Sequence, residues 1–234
     1  MRTYRANRGP FQEAVHYTDG DIERIVLEEL GAVKLLPTEP EPIRIERFVE
    51  KRFGVAVEAV EMKDGVLGFS EFGPKGVRAV YVAKSLDEDE TVAGQRRLRS
   101  TIAHEAGHCL LHAHLFLVSG TLPLFADISD PNAPKVLCRD LGSDSGAIRP
   151  YNGEWWEFQA NMAMGQLLMP APLVRKAAIP YLEAAGNLGV VLLPEESLGI
   201  SARALAEVFD VNPVVARLRL EKLYKVERSG QMML

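Results

Sequence analysis

The residues Ile102-Ala103-His104-Glu105-Ala106-Gly107-His108 place two histidines four apart with a glutamate directly after the first, an HExxH pattern. On a helix, positions four apart differ by only about 40° in direction and about 6 Å along the axis, so both imidazoles can reach one ion. Glu105 is turned about 100° from His104, outside the ligand set yet close to a water on such an ion, where a general base belongs. The pattern is half of a zinc site together with its base. The bland alternative is a pair of core histidines satisfied by backbone carbonyls. Against it, the neighbouring positions Leu98, Ile102, Ala106, Cys109 and Leu110 are apolar, and burying two histidines and a glutamate among them is costly without a partner.

A zinc site of this kind needs a third protein ligand and leaves a fourth position for water. His114 has the spacing used by metzincins, but that arrangement needs a glycine break where this chain has Leu111. His112 stays near the right face but lies about 12 Å from His104 along the axis, too far to share an ion bound at about 2 Å, and suits a supporting or packing role. Glu157, in Glu157-Phe158-Gln159-Ala160-Asn161 on a second apolar helix, completes a His, His, Glu set, with Glu154 on the same face as the fallback. Asn161, one turn beyond Glu157, can accept a hydrogen bond from a ligand histidine and fix its tautomer. Trp155 and Trp156 read first as core packing and second as a wall of the cleft.

The elements that must carry these residues follow from apolar spacing and punctuation. A helix is predicted over 18–36, closing into the proline-rich stretch 35–42, and a second over about 43–52 that stops at Gly54. Short strands are predicted at 55–62, 66–69 and 77–83, a small antiparallel sheet ahead of the motif. Asp87-Glu88-Asp89-Glu90 reads as a solvated loop. A long helix over 95–118 has apolar residues on more than one side and should be buried. The stretch 119–153 is long for a connection, which marks it as functional or mobile. A second buried helix over 154–169 ends at Pro170 and Pro172, and further helices follow, with Asn212-Pro213 as a capping residue ahead of a first-turn proline. The fold class is α+β, in three stretches: an N-terminal helix and linker over 1–42, a central unit over 43–185, and a helical tail over 186–234.

The composition bounds the remaining choices. The chain has 234 residues, 47% of them hydrophobic, enough for a sizeable core. Its 27 Lys and Arg against 32 Asp and Glu leave a formal charge of -5, which argues against a surface built to hold phosphate backbones without regard to sequence. Cys109 and Cys138 are too few and too distant to form a disulfide framework or a thiolate zinc site, as suits a reducing cytoplasm. The amino terminus MRTYRANRGPF has no apolar run behind its arginines, and nothing approaches the roughly 20 apolar residues of a membrane span. The expectation is a cytoplasmic protein without membrane contact.

Two segments, Arg96 to His112 and Trp156-Glu157-Phe158-Gln159-Ala160-Asn161 through Leu167-Leu168-Met169-Pro170, resemble the ImmA/IrrE-type metallopeptidases in content and order. The likeness extends from about Ile43 to about Lys225. It implies a thermolysin-like, zincin-like zinc core, a cytoplasmic location, and cleavage of a helix-turn-helix repressor that silences a mobile element or a stress regulon. The family mechanism is zinc-assisted peptide hydrolysis with Glu105 as base and no covalent intermediate. Asn161 stands where thermolysin has an aspartate, and the extra sensory domain of some family members is not expected here. For an additional oxyanion donor, Tyr151, Tyr181 and His112 are equal candidates.

Two rival readings remain. The tail over 201–225 has the length and punctuation of a helix-turn-helix, and Arg217, Arg219, Lys222 and Lys225 suggest phosphate contacts, which would make the chain a DNA-binding regulator with a structural zinc. Glu207, Asp210, Glu221 and Glu227 dilute that charge. A zinc hydrolase acting on a small molecule is the third reading. Within 119–153, Cys138 is a candidate regulatory residue whose thiolate would take the fourth zinc position and silence the enzyme until oxidation or substrate removes it. The competing view is a half-buried cysteine packing beside Leu137.

Overall fold

The structure, a computed structural model, describes residues 2–5, 13–73, 75–118, 135–139, 154–185 and 190–227. Two helices form its centre: α4 (Val92–Val118) and α5 (Trp155–Leu168), packed against each other. Every residue of α4 from Thr101 to Cys109 is buried. The reason is enclosure on several sides, since α4 also contacts α2 (Ile45–Phe53), α3 (Lys84–Asp87) and the strands β4 (Val66–Gly73) and β5 (Gly76–Ala83). A helix so enclosed needs no apolar stripe, which is why its hydrophobic residues face all directions.

Gly107 sits at the crossing of α4 and α5. A Cβ there would lie 3.0 Å from the Ala160 carbonyl oxygen and 3.0 Å from the Ala163 side chain, so the glycine sets how closely the two helices approach. That approach brings the Glu157 turn of α5 up to the histidine turn of α4.

The main sheet has the order β3-β5-β4-β6, with β3 (Val57–Val60) on one edge and β6 (Lys135–Arg139) on the other. β4 pairs antiparallel with both β5 and β6, and β3 runs parallel to β5. The parallel pairing follows from connectivity: β5 returns from the β4 hairpin into the gap between β3 and β4, and therefore runs in the direction of β3. β6 falls within the long stretch 119–153; the rest of that stretch, Tyr151 included, lies outside the described residues.

The acidic run at 87–90 is largely exposed, as expected of a solvated loop, but it also ties into the helices on either side. Asp87 closes α3, and Asp89 accepts from the Thr91 N–H at 3.0 Å while Thr91 Oγ1 accepts from the Gly94 N–H at 3.0 Å. These side chains satisfy backbone donors that the start of α4 leaves open.

Around this centre, β1 (Arg2–Arg5) and β2 (Glu13–His16) form an antiparallel hairpin, and α1 (Asp19–Ala32) packs on α5. α1 begins with a reciprocal cap: the Asp21 N–H donates to Thr18 Oγ1 at 3.2 Å and the Thr18 N–H donates to Asp21 Oδ2 at 3.0 Å. The tail comprises α6 (Ala171–Ala178), a 3₁₀ turn (Ile179–Tyr181), β7 (Glu183–Ala185), β8 (Val190–Pro194), α7 (Glu195–Phe209), α8 (Pro213–Leu223) and β9 (Val226–Glu227). Asn212 precedes Pro213 at the start of α8 but makes no side-chain cap bond. One hydrophobic cluster runs from Ala14 to Leu220, joining hairpin, centre and tail. No helix among the described residues is long and apolar enough to cross a membrane.

Candidate metal centre

The helical spacing of His104 and His108 stacks their rings on one face of α4, and α5 brings the Glu157 carboxylate against both. His104 Nε2 lies 3.1 Å from Glu157 Oε2, His108 Nε2 lies 3.4 Å from Glu157 Oε1, and the two Nε2 atoms are 3.0 Å apart. Donors bound at about 2.0–2.1 Å to one tetrahedral ion sit about 3.3–3.4 Å from each other. The three side chains are therefore nearly in ligand geometry, and this His, His, Glu group could hold a metal ion. The histidines are buried and Glu157 is partly so.

Each ring makes its other contact through Nδ1. His104 Nδ1 lies 3.1 Å from Asn161 Oδ1, and His108 Nδ1 lies 3.0 Å from His112 Nδ1. Both Nε2 atoms thus face inward toward the carboxylate, which they would hydrogen-bond when protonated there and with which they would converge as lone-pair donors on a cation when protonated at Nδ1. The electrostatics agree. Burial works to lift Glu157, but its hydrogen bonds and charge interactions with His104 and His108 outweigh this and hold it well below the ordinary carboxylate range. Burial likewise works to lower His104, and Glu157 outweighs it to raise the ring. For His108, burial wins and the pKa falls, despite Glu157.

Glu105 stands beside this group, fully buried. Ser70 Oγ on β4 donates to Glu105 Oε2 at 2.6 Å, while Glu105 Oε1 is buried with no hydrogen-bond partner. Burial, opposed by His104 and Ser70 and helped by Glu157, pushes its pKa up to about 7. Gly68 makes this contact between strand and helix feasible, since a Cβ there would lie 2.9 Å from Thr101 Cγ2 and 3.4 Å from Glu105 Cγ. Ser70 was not among the residues singled out from sequence. A serine in a strand has no periodic partner to mark it, and its acceptor is 35 positions away.

The other candidates separate clearly. His114 and Glu154 are not in the metal-ligand cluster, and α4 continues unbroken through Leu111. His112 is buried and engages Nε2 with Gln159 Oε1 at 3.0 Å and Nδ1 with His108, so it has no ring nitrogen left to serve an oxyanion. Burial first, then His108, holds its pKa well below the usual histidine range. Tyr181 lies in the 3₁₀ turn and packs against the core. Trp155 and Trp156 are both buried, with the Trp155 ring edge-on to His112 at 5.5 Å. The backbone of Cys138 pairs with Gly68 in the β4–β6 register, and its side chain lies outside the described residues.

No family model and no curated protein matches this chain.

Proposed function

We propose that the chain is a zinc metallopeptidase, with His104, His108 and Glu157 as the metal ligands and Glu105 as the general base. The observation that carries this reading is the convergence of the two Nε2 atoms and the Glu157 carboxylate beside a buried carboxylate with one free oxygen. Two imidazoles and one carboxylate suit zinc, and three protein ligands leave a position open for chemistry. Zinc in such a site acidifies water to a pKa of about 7 and polarises a carbonyl.

The protein's own residues supply the rest. Asn161 orients the His104 ring through Nδ1. Ser70 occupies one oxygen of Glu105 and leaves the other to accept a proton from water and pass it to the leaving amine. Burial raises this carboxyl in the metal-free site, and a cation held by the neighbouring ligands would favour the ionised form that accepts a proton. The resemblance of the two motif-bearing segments to ImmA/IrrE-type metallopeptidases directs the choice of substrate to a helix-turn-helix repressor, cut in the cytoplasm, and the choice of fold name to a zincin-like core with a helix-turn-helix-like tail.

The basic residues of the tail bear on the rival reading. Arg219 is buried, donates to the Met169 carbonyl at 2.9 Å and pairs with Glu23 on α1. Lys222 pairs with Asp19, and Arg217 with Glu221 at 3.0 Å. Three of the four cations suggested for DNA are thus engaged within the protein. In the deciding experiment, zinc-loaded protein is incubated with the helix-turn-helix repressor encoded beside its gene. One defined cut by the parent and none by Glu105→Gln is expected; equal cutting by both would show that the base lies elsewhere.

A further inference from the structure

Gln159 is buried on α5, two residues after Glu157, and the chemistry above does not use it. Its amide nitrogen donates to the Val15 carbonyl of β2 at 2.7 Å. A carbonyl can only accept, so the amide has one orientation: nitrogen toward Val15, oxygen toward His112. The oxygen also can only accept, so His112, 3.0 Å away, carries a proton on Nε2. In a neutral imidazole the opposite nitrogen is then a bare acceptor. That nitrogen, His112 Nδ1, lies 3.0 Å from His108 Nδ1, a contact that needs one proton and has no room for two. The proton therefore belongs to His108 Nδ1, and His108 Nε2 keeps a lone pair facing His104 and Glu157. Such a chain buries no net charge and satisfies each group in turn.

We propose that Gln159, anchored by the Val15 carbonyl, is a positioning residue that sets the tautomer of His112 and, through it, the tautomer that lets His108 bind a metal. Asn161 does the same for His104 in a single step. The N-terminal hairpin thereby supports the metal centre, although it carries no ligand. This inference rests on the metal reading for its purpose but not for its geometry, so the two can fail separately.

Nitrogen-15 imidazole spectra of the full chain, metal-free and zinc-loaded, read the tautomers directly. A neutral His112 ring protonated at Nε2 in both states is expected, with His108 protonated at Nδ1 in the zinc-loaded protein. A His112 ring protonated at Nδ1 overturns the proposal without any variant. In Gln159→Leu, His112 should become a mixture of tautomers and zinc affinity, by chelator competition, should weaken about 10–100-fold, as removal of such supporting groups typically does. His112→Leu should weaken zinc similarly, whereas His112→Gln, whose amide oxygen can accept from His108 Nδ1, should recover most of the loss. A merely space-filling role would make the two His112 variants alike. Unchanged tautomer and affinity in Gln159→Leu overturn the proposal. A parent protein that binds no zinc overturns the metal reading instead, and the metal-free His112 spectrum still decides the relay.

Discussion

The α4/α5 crossing and the contacts that tie the tail helices α7 and α8 to the rest of the chain both bring buried polar or charged groups into the interior, yet they arrange them in opposite ways. In the tail, Arg219 enters the interior already matched, with Glu23 and the Met169 carbonyl as partners, and Arg96 reaches from α4 to Asp210 at 3.1 Å. At α4/α5 the inward-facing atoms can all present lone pairs: the two Nε2 atoms when the rings are protonated at Nδ1, the Glu157 carboxylate and the unpartnered Glu105 Oε1. A buried charge that is fully paired is explained by architecture. A buried set of lone-pair donors held at short range is what a bound cation would account for. The difference separates a structural polar contact from a site.

Substitution in each pair sharpens that contrast. The largest effect belongs to Glu105→Gln, which should lower kcat for hydrolysis by about 10²–10⁴-fold, the usual worth of a general base, while zinc content measured on the same sample stays at the parental value. Loss of zinc with activity would move Glu105 from base to ligand. Arg219→Ala should do the reverse. It leaves the half-buried Glu23 with the Ala171 N–H but no countercharge, and should cost roughly 3 kcal/mol in denaturant unfolding, with zinc stoichiometry retained by the folded protein. A neutral effect on stability would show that the pair is not what joins α8 to α1.

A third experiment uses metal-depleted protein. Burial lifts Glu105 from 4.5 to about 7, so the folded chain holds this proton more tightly than the unfolded chain does. The resulting stabilisation is fully present below about pH 4.5 and is lost as pH rises through about 7. Glutamine keeps its neutral amide throughout. The stability advantage of Glu105→Gln over parent should therefore be near zero in acid and grow to on the order of 3 kcal/mol above neutrality. A difference that does not change with pH would place the unfavourable charge elsewhere. The smallest effect is expected at the rim of the tail, where Lys222→Ala removes an exposed pair with Asp19 and should change stability by less than about 1 kcal/mol, at any salt concentration.

What could be read from the sequence was mostly what is local. His104, Glu105 and His108 share one helical turn, so their relation follows from helix geometry alone. Glu157 could be singled out because a carboxylate on an apolar helix needs a reason, and Asn161 because it lies one turn on. The contacts that complete the site are not local. Ser70 reaches Glu105 across 35 positions, and Gln159 reaches Val15 across 144, so neither leaves a spacing to detect. The same holds for β6, whose pairing with β4 depends on a register between distant segments. Arg219 shows the converse: in sequence it is one of four cations that suggest phosphate contacts, and only the distant Glu23 explains why it turns inward. Asp89 was legible in principle, since Asp-x-Thr ahead of a helix is a capping signal, but the surrounding acids concealed it among solvated charge.

The metal content of purified protein tests the convergence of His104, His108 and Glu157 most directly. Elemental analysis should find close to one zinc per chain in the parent and a sharply lower value in Glu157→Ala, because the substitution removes one of three protein ligands while leaving the fold in place. Full zinc occupancy in Glu157→Ala, or a parent protein that takes up no metal when zinc is supplied, would contradict the assignment.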